Sequence, residues 1–187
     1  MNSLVKLFAS LLLFFFSSSL FAGEINGAEI SSQNHDLSSI KKLFVFGDSY
    51  ADTGNAKNDS GAWRYPYGIT FPGHPTGRNS DGLISTDFLA KLLGLKSPIA
   101  YRLKDKVDKE RLQYGMNFAY GGTGVFDTYA SNPNMTTQIF LFEHRLGDVY
   151  SQSDLSSSLA LVSVAGNDYA TFLLTKRPFY VRKHYLY

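Results

Sequence analysis

Apolar and polar positions along this chain alternate between short continuous apolar runs and stretches of helical spacing. Leu43-Phe44-Val45-Phe46, bounded by Lys42 and Gly47, predicts a central parallel strand covered on both faces. From Ser85 to Leu93, Phe88, Leu89, Leu92 and Leu93 share a helical face; Ser85 or Thr86 can cap the start and Gly94 can end it. Met116 to Tyr120 predicts a second strand, and Ile139, Phe142, Leu146 and Val149 mark a helix from about Thr136 to Val149. Leu159-Ala160-Leu161-Val162-Ser163-Val164 is a third buried run. Strands alternating with helices predict an α/β fold with a doubly wound parallel sheet.

The flanks and connections modify this picture. Residues 1–22 hold Lys6 and an apolar core from Leu7 to Ala22, followed by small residues up to Ala28. That is the pattern of a cleaved secretory signal, with cleavage between 22 and 28 and no stable membrane span afterwards. Residues 23–40 are polar and predict a flexible mature N-terminus. Asp59 to Ser80 is rich in glycine, proline and aromatics and predicts a long ordered loop, of the kind that often carries function. Its aromatic part, Trp63 to Phe71, has two readings: packing, or the wall of a pocket for an acyl or sugar ester.

With 187 residues the chain suffices for one modest domain. Its 18 Lys and Arg against 16 Asp and Glu exclude a strongly basic nucleic-acid binder. The densest basic segment, Arg102 to Arg111, is interleaved with Asp105, Asp108 and Glu110 and reads as a solvated face or loop. Cysteine is absent, so a secreted domain here must rely on its core. Asn58-Asp59-Ser60 and Asn134-Met135-Thr136 are glycosylation sequons, making Asn58 and Asn134 candidate acceptors.

All three strands end in glycine-containing polar turns: Gly47-Asp48-Ser49, Gly121-Gly122 and Gly166-Asn167-Asp168. The carboxyl ends of parallel strands face one crevice, so these distant turns converge where α/β folds bind ligands. Ester hydrolysis needs a nucleophilic oxygen, a base, and donors for the developing oxyanion. Ser49 is the candidate nucleophile. Its own N–H, a glycine N–H from the second turn and the Asn167 amide are the candidate oxyanion donors.

Phe46-Gly47-Asp48-Ser49-Tyr50-Ala51-Asp52-Thr53-Gly54-Asn55 resembles the first signature block of the GDSL esterase/lipase family, the plant branch of the SGNH hydrolases. Pro66-Tyr67-Gly68, Pro75-Thr76-Gly77-Arg78 and Asp81-Gly82 resemble the stretch that follows it. Asn117 to Gly122 resembles the second block and Val164 to Tyr169 the third. The resemblance covers roughly Leu43 to Leu174. It implies a three-layer α/β/α sandwich and a secreted carboxylic-ester hydrolase with Ser49 as nucleophile, acting on a small-molecule or lipid ester. No metal or organic cofactor is implied, and either Gly121 or Gly122 serves as the glycine donor.

The family also carries an Asp-x-x-His block near its C-terminus, and these 187 residues contain none. None of His35, His74, His144 and His184 has Asp three residues before it. The expected organisation is therefore a partial hydrolase domain over 41–174, incomplete on its C-terminal side, and a divergent tail over 175–187. The alternatives to a serine esterase are a catalytically inactive secreted binding protein and a truncated fragment.

Overall fold

A computed structural model describes residues 37–164 and 166–175. The expected signal, most of the polar N-terminus and the tail lie outside the described residues. Residues 37–39 form a 3-10 turn leading into β1, Lys42–Gly47. Helix α1 follows at Ser85–Leu92, then β2 at Ile99–Ala100, α2 at Lys109–Leu112 and β3 at Met116–Asn117. Next come α3 at Met135–Glu143, α4 at Gln152–Ser156, β4 at Ser158–Ser163 and α5 at Asn167–Thr175.

The four strands form one sheet in the order β2-β3-β1-β4, and every pairing is parallel. β1 is central because both its faces are apolar. Leu43 and Val45 pack with Ala90 and Leu93 of the α1 region on one side. Phe44 and Phe46 pack with Met116, Phe118, Tyr150 and the α3 residues Leu141 and Phe142 on the other. Helices thus cover opposite faces, as an α/β/α sandwich requires. Ring edges supply much of the second layer: Phe44 meets Tyr150 at 4.8 Å and Phe142 at 4.9 Å between centroids.

Several elements differ from the sequence reading for identifiable reasons. β3 stops at Asn117 because that side chain captures the Ala119 N–H at 2.9 Å. Phe118 and Tyr120 nevertheless donate to Val45 and Gly47, so the chain keeps following β1. Helix α3 ends at Glu143 rather than Val149. Gly147 turns left-handed at φ 85° there, and the Val149 and Tyr150 N–H groups both fold back onto the Arg145 carbonyl. Ser85 and Thr86 do not cap α1; their hydroxyls donate to the Tyr50 and Ala51 carbonyls, tying the helix to the turn after β1. The Asp87 carboxylate accepts the Ile84 N–H instead. Gly94 ends the helix as expected, at φ 69°, with Leu95 N–H returning to Ala90 O at 2.8 Å. The charged segment is largely exposed, as its composition suggests, at Asp105, Lys106, Asp108, Lys109 and Glu110. It contains α2, and Arg102 lies over the Trp63 ring while donating to Ala56 O and Asn58 Oδ1.

Candidate active site

The site begins where β1 ends. Gly47, at φ 141°, turns the chain so tightly against β4 that the next residue's N–H, Asp48, donates to Ser163 O at 3.0 Å. One helical turn follows, with Ala51 and Asp52 N–H groups returning to Asp48 O at 3.1 and 3.0 Å. Asp48, Ala51 and Asp52 are buried while Ser49 is half-buried, so the turn presents Ser49 outward from a packed base. Asp48 Oδ1 accepts the Tyr50 N–H at 3.0 Å and fixes the turn from within.

Buried polar side chains bind the three turns to one another. Asp52 accepts the N–H groups of Gly54 at 2.8 Å, Asn55 at 2.6 Å and Gly121 at 3.0 Å, joining the first turn to the second. Asn55 donates to the Asn117 and Ala119 carbonyls, and Asn117 donates to Ala51 O and Thr53 Oγ1. From α3, Gln138 accepts the Gly47 N–H at 2.8 Å and donates to Gly47 O at 2.9 Å. In the third turn, Asn167 Nδ2 donates to Thr123 O at 2.8 Å and lies 3.4 Å from Asp48 Oδ2. Asp168 accepts the Val125 and Phe126 N–H groups, each at 3.0 Å.

These ties bring Ser49, Gly121, Gly122 and Asn167 onto the wall of one cleft of about 480 Å³. Asn79 and Asn132 line it too, and sequence reasoning missed both. A larger hollow of about 670 Å³ lies at the amino edge of the sheet, beside Lys42, and holds none of the sequence-predicted residues. The two candidate glycines differ in what their N–H groups do. Gly121 N–H is taken by Asp52. Among the described residues, neither Gly122 N–H nor Ser49 N–H has a hydrogen-bond acceptor.

Other sequence-predicted residues lie away from the cleft. Neither described histidine lines it. His144 Nδ1 sits 2.8 Å from Phe140 O with its ring tilted against that of Phe140, 4.0 Å between centroids, and His74 belongs to the exposed loop. His35 and His184 lie outside the described residues. The aromatic part of the long loop, Trp63 to Phe71, does not line the cleft either, although Asp59, Ser60 and Asn79 at the ends of that loop do. Trp63 donates to Ala56 O at 2.8 Å and packs against Gly77, where a Cβ would come within 2.9 Å of the ring. Asn58 is exposed. Asn134 is buried; its Oδ1 caps α3 by accepting Thr137 N–H at 3.0 Å, and its Nδ2 donates to Asp127 at 2.7 Å.

Burial pushes the Asp52 carboxyl up from its ordinary 3.8 to about 6, against four backbone N–H donors that pull it down. Its proton is therefore held more tightly in the folded than in the unfolded chain. The associated stability is complete below about pH 4 and is lost as pH rises through about 6. A shift of that size corresponds to about 3 kcal/mol. Denaturant titrations at pH 4 and pH 7 are expected to show the wild type losing about that much more stability than Asp52→Asn across the window. The carboxylates held low by partners, such as Asp154 at about 2 beside Lys42, titrate below it. Equal pH slopes for the two proteins would refute the assignment.

The sequence model of the family described as GDSL-like Lipase/Acylhydrolase matches residues 43–186. A GDSL esterase/lipase of Arabidopsis thaliana (At5g03610) is 62% identical over 183 residues, covering 95% of this chain and 51% of the relative. A second Arabidopsis GDSL esterase/lipase (At3g09930) is 59% identical, covering 94% of this chain and 50% of the relative. Acetylajmalan esterase 1 of Rauvolfia serpentina is 31% identical over 191 residues, covering 91% and 47%. The chain thus spans about half the length of the curated relatives it matches.

Proposed function

The chain belongs to the GDSL-like lipase/acylhydrolase family, and from that premise we propose that it is the nucleophile-bearing part of a secreted serine esterase. Ser49 Oγ attacks the carbonyl carbon of a carboxylic ester, and a base takes the hydroxyl proton. The tetrahedral oxyanion collapses, the leaving alcohol departs with a proton, and water hydrolyses the acyl-enzyme. One observation carries this reading: four residues singled out from three distant turns line the same cleft.

The oxyanion donors follow from which N–H groups are engaged. Ser49 N–H and Gly122 N–H have no acceptor among the described residues, whereas Gly121 N–H is held by Asp52. Gly122 is therefore the donor from the second turn, and Gly121 closes the loop behind it. Asn167 supplies the third donor by turning an amide hydrogen from Asp48, its longer contact at 3.4 Å, toward substrate. The base is assigned to an Asp-x-x-His block of the kind the family resemblance implies, outside these 187 residues.

Fluorophosphonate labelling followed by peptide mapping tests the nucleophile. In a form that also carries an Asp-x-x-His block, label is expected on Ser49, with turnover of a short-chain p-nitrophenyl ester. Ser49→Ala is expected to lose both by a factor of at least about 1000. Undiminished turnover in that variant would overturn the assignment. Labelling of the form that carries the block separates an esterase from a binding protein that keeps the cleft: no label on Ser49 there favours the binding protein.

Secretion has its own expected signature. Asn58 is exposed and Asn134 is buried as a helix cap with both ends of its amide engaged. Glycopeptide mapping after expression in plant cells is expected to find glycan on Asn58 and none on Asn134. Glycan on Asn134 in folded protein, or an unprocessed N-terminus, would contradict this reading.

A further inference from the structure

The cleft beside Ser49 is polar well beyond the groups that hydrolysis uses. Lys57, Asp59 and Ser60 reach it from the start of the long loop, Asn79 from its end and Asn132 from the segment before α3. The first three stand on a segment anchored at β2, at the opposite end of the sheet from β4. Arg102, two residues after β2, donates to Ala56 O and Asn58 Oδ1 and lies over the Trp63 ring. Its own N–H donates to Asn55 Oδ1 at 3.0 Å. This wall is therefore fixed from beneath, and its side chains are left to face the cleft.

Two oxygens of the wall lack partners among the described residues. Ser60 precedes the 3-10 turn Gly61–Trp63, a position where serine commonly caps, yet its hydroxyl makes no capping bond and is buried without a partner. Asn132 Nδ2 donates to Gly121 O at 2.9 Å, which fixes the amide and leaves the buried Oδ1 without a donor. The third such atom among the described residues, Arg145 Nε, belongs to the hollow at the amino edge of the sheet. Buried polar atoms are nearly always satisfied, so two exceptions on one cleft mark a place for an outside group. Lys57 and Asp59 are exposed and form no ion pair among the described residues. Their opposite charges argue against an anionic headgroup. They favour a neutral ligand with several hydroxyls, which accept from ammonium and amide groups and donate to carboxylate and carbonyl oxygens. Tyr129, 62% exposed on the same cleft, offers a flat ring to the C–H face of a sugar.

We propose that this wall is a subsite for the alcohol half of the substrate and that the substrate is an ester of a sugar. Ser60 and Asn132 meet its hydroxyls from below, and Lys57 and Asp59 meet them at the rim. An alkyl alcohol in the same place would leave every one of these groups unpaired. The subsite stands on the cleft and its unpartnered oxygens; hydrolysis of the ester held there rests on the esterase reading above.

The test uses the form that carries an Asp-x-x-His block and two acetates whose alcohols have the same carbon count, 6-O-acetylglucose and hexyl acetate. kcat/KM is expected to favour the sugar ester by at least about tenfold, because a site built for hydroxyls rejects an analogue lacking them. Ser60→Ala is expected to cut that preference at least about threefold, through KM for the sugar ester rather than kcat. Lys57→Met, at an exposed position where folding is not at stake, is expected to cut it in the same direction. Lys91→Met, exposed on α1 and outside the cleft, is expected to change neither ester's turnover. Absence of a preference for the sugar ester, or a preference that survives both Ser60→Ala and Lys57→Met, overturns the subsite and leaves the esterase reading standing. Titration with glucose, followed by amide chemical shifts, reads the subsite without turnover. Shifts at residues 57–60 and 132 with neither acetate cleaved uphold the subsite and sink the esterase reading. Neither shifts nor cleavage overturns both.

Discussion

Gly47→Ala is expected to abolish the cooperative unfolding transition of this domain. Two costs combine at that position. The backbone φ of 141° lies where only glycine sits without strain. A Cβ there would also stand 1.9 Å from the Ser163 carbonyl oxygen and 2.8 Å from its carbon. These are backbone atoms of β4, so no side-chain rotation relieves the overlap. Moving them means opening the carboxyl end of a ladder in which Gly47 itself is registered with Ser163. A loss of about 5 kcal/mol or more is expected, which is the lower end of a domain's entire stability. Circular dichroism on heating and in denaturant is the measurement. Gly61→Ala is the matched control, because nothing lies within 4 Å of its added Cβ. That variant is expected to stay within about 0.5 kcal/mol of wild type. A folded Gly47→Ala melting within a few degrees of wild type would show that β1 and β4 do not meet as described.

The same contact explains why the first motif was legible in the sequence. Gly47 ends a run of four apolar residues, and a glycine there permits the close strand approach on which Asp48 and Ser49 are built. The convergence of three turns followed from parallel topology alone, since that topology puts the ends of β1, β3 and β4 on one edge. Other features had no local signal. α5 was read as the end of a turn because Gly166-Asn167-Asp168 dominates its first residues, while its apolar positions face outward. β2 is two residues long, set by pairing with Met116 and Asn117 rather than by its own pattern. The choice between Gly121 and Gly122 was undecidable along the chain. What distinguishes the two glycines in the structure is Asp52, 69 residues earlier, which accepts the Gly121 N–H. Asp52, Asn55 and Asn117 belong to the signature blocks, yet nothing local shows that all three side chains are buried. Their hydrogen bonds satisfy backbone groups that the short β3 leaves without ladder partners.

Gln138 is the largest such omission. Its signal was present but concealed: it lies four residues before Phe142, on the apolar stripe of α3, where a polar residue reads as an exception. The structure buries it completely and gives it four partners. It accepts the Gly47 N–H at 2.8 Å and donates to Gly47 O, Thr123 Oγ1 and Pro133 O at 2.9, 3.2 and 3.0 Å. Gly47 O keeps Tyr120 N–H and Thr123 Oγ1 as donors without it. The Gly47 N–H has no second acceptor among the described residues, so its loss is the expensive one. Gln138→Ala is expected to cost about 3–5 kcal/mol, from an orphaned buried N–H plus a cavity. Gln138→Leu refills most of the volume and still orphans the donor, so it is expected to recover only the cavity part and remain about 2 kcal/mol below wild type. Urea titrations of the three proteins separate the contributions. Full recovery in Gln138→Leu would reduce Gln138 to a filler of space. Partial recovery, with slowed fluorophosphonate labelling of Ser49 in the form carrying the proposed base, identifies Gln138 as a positioning residue: it sets the angle at which β1 hands its last residue to the turn that carries Ser49.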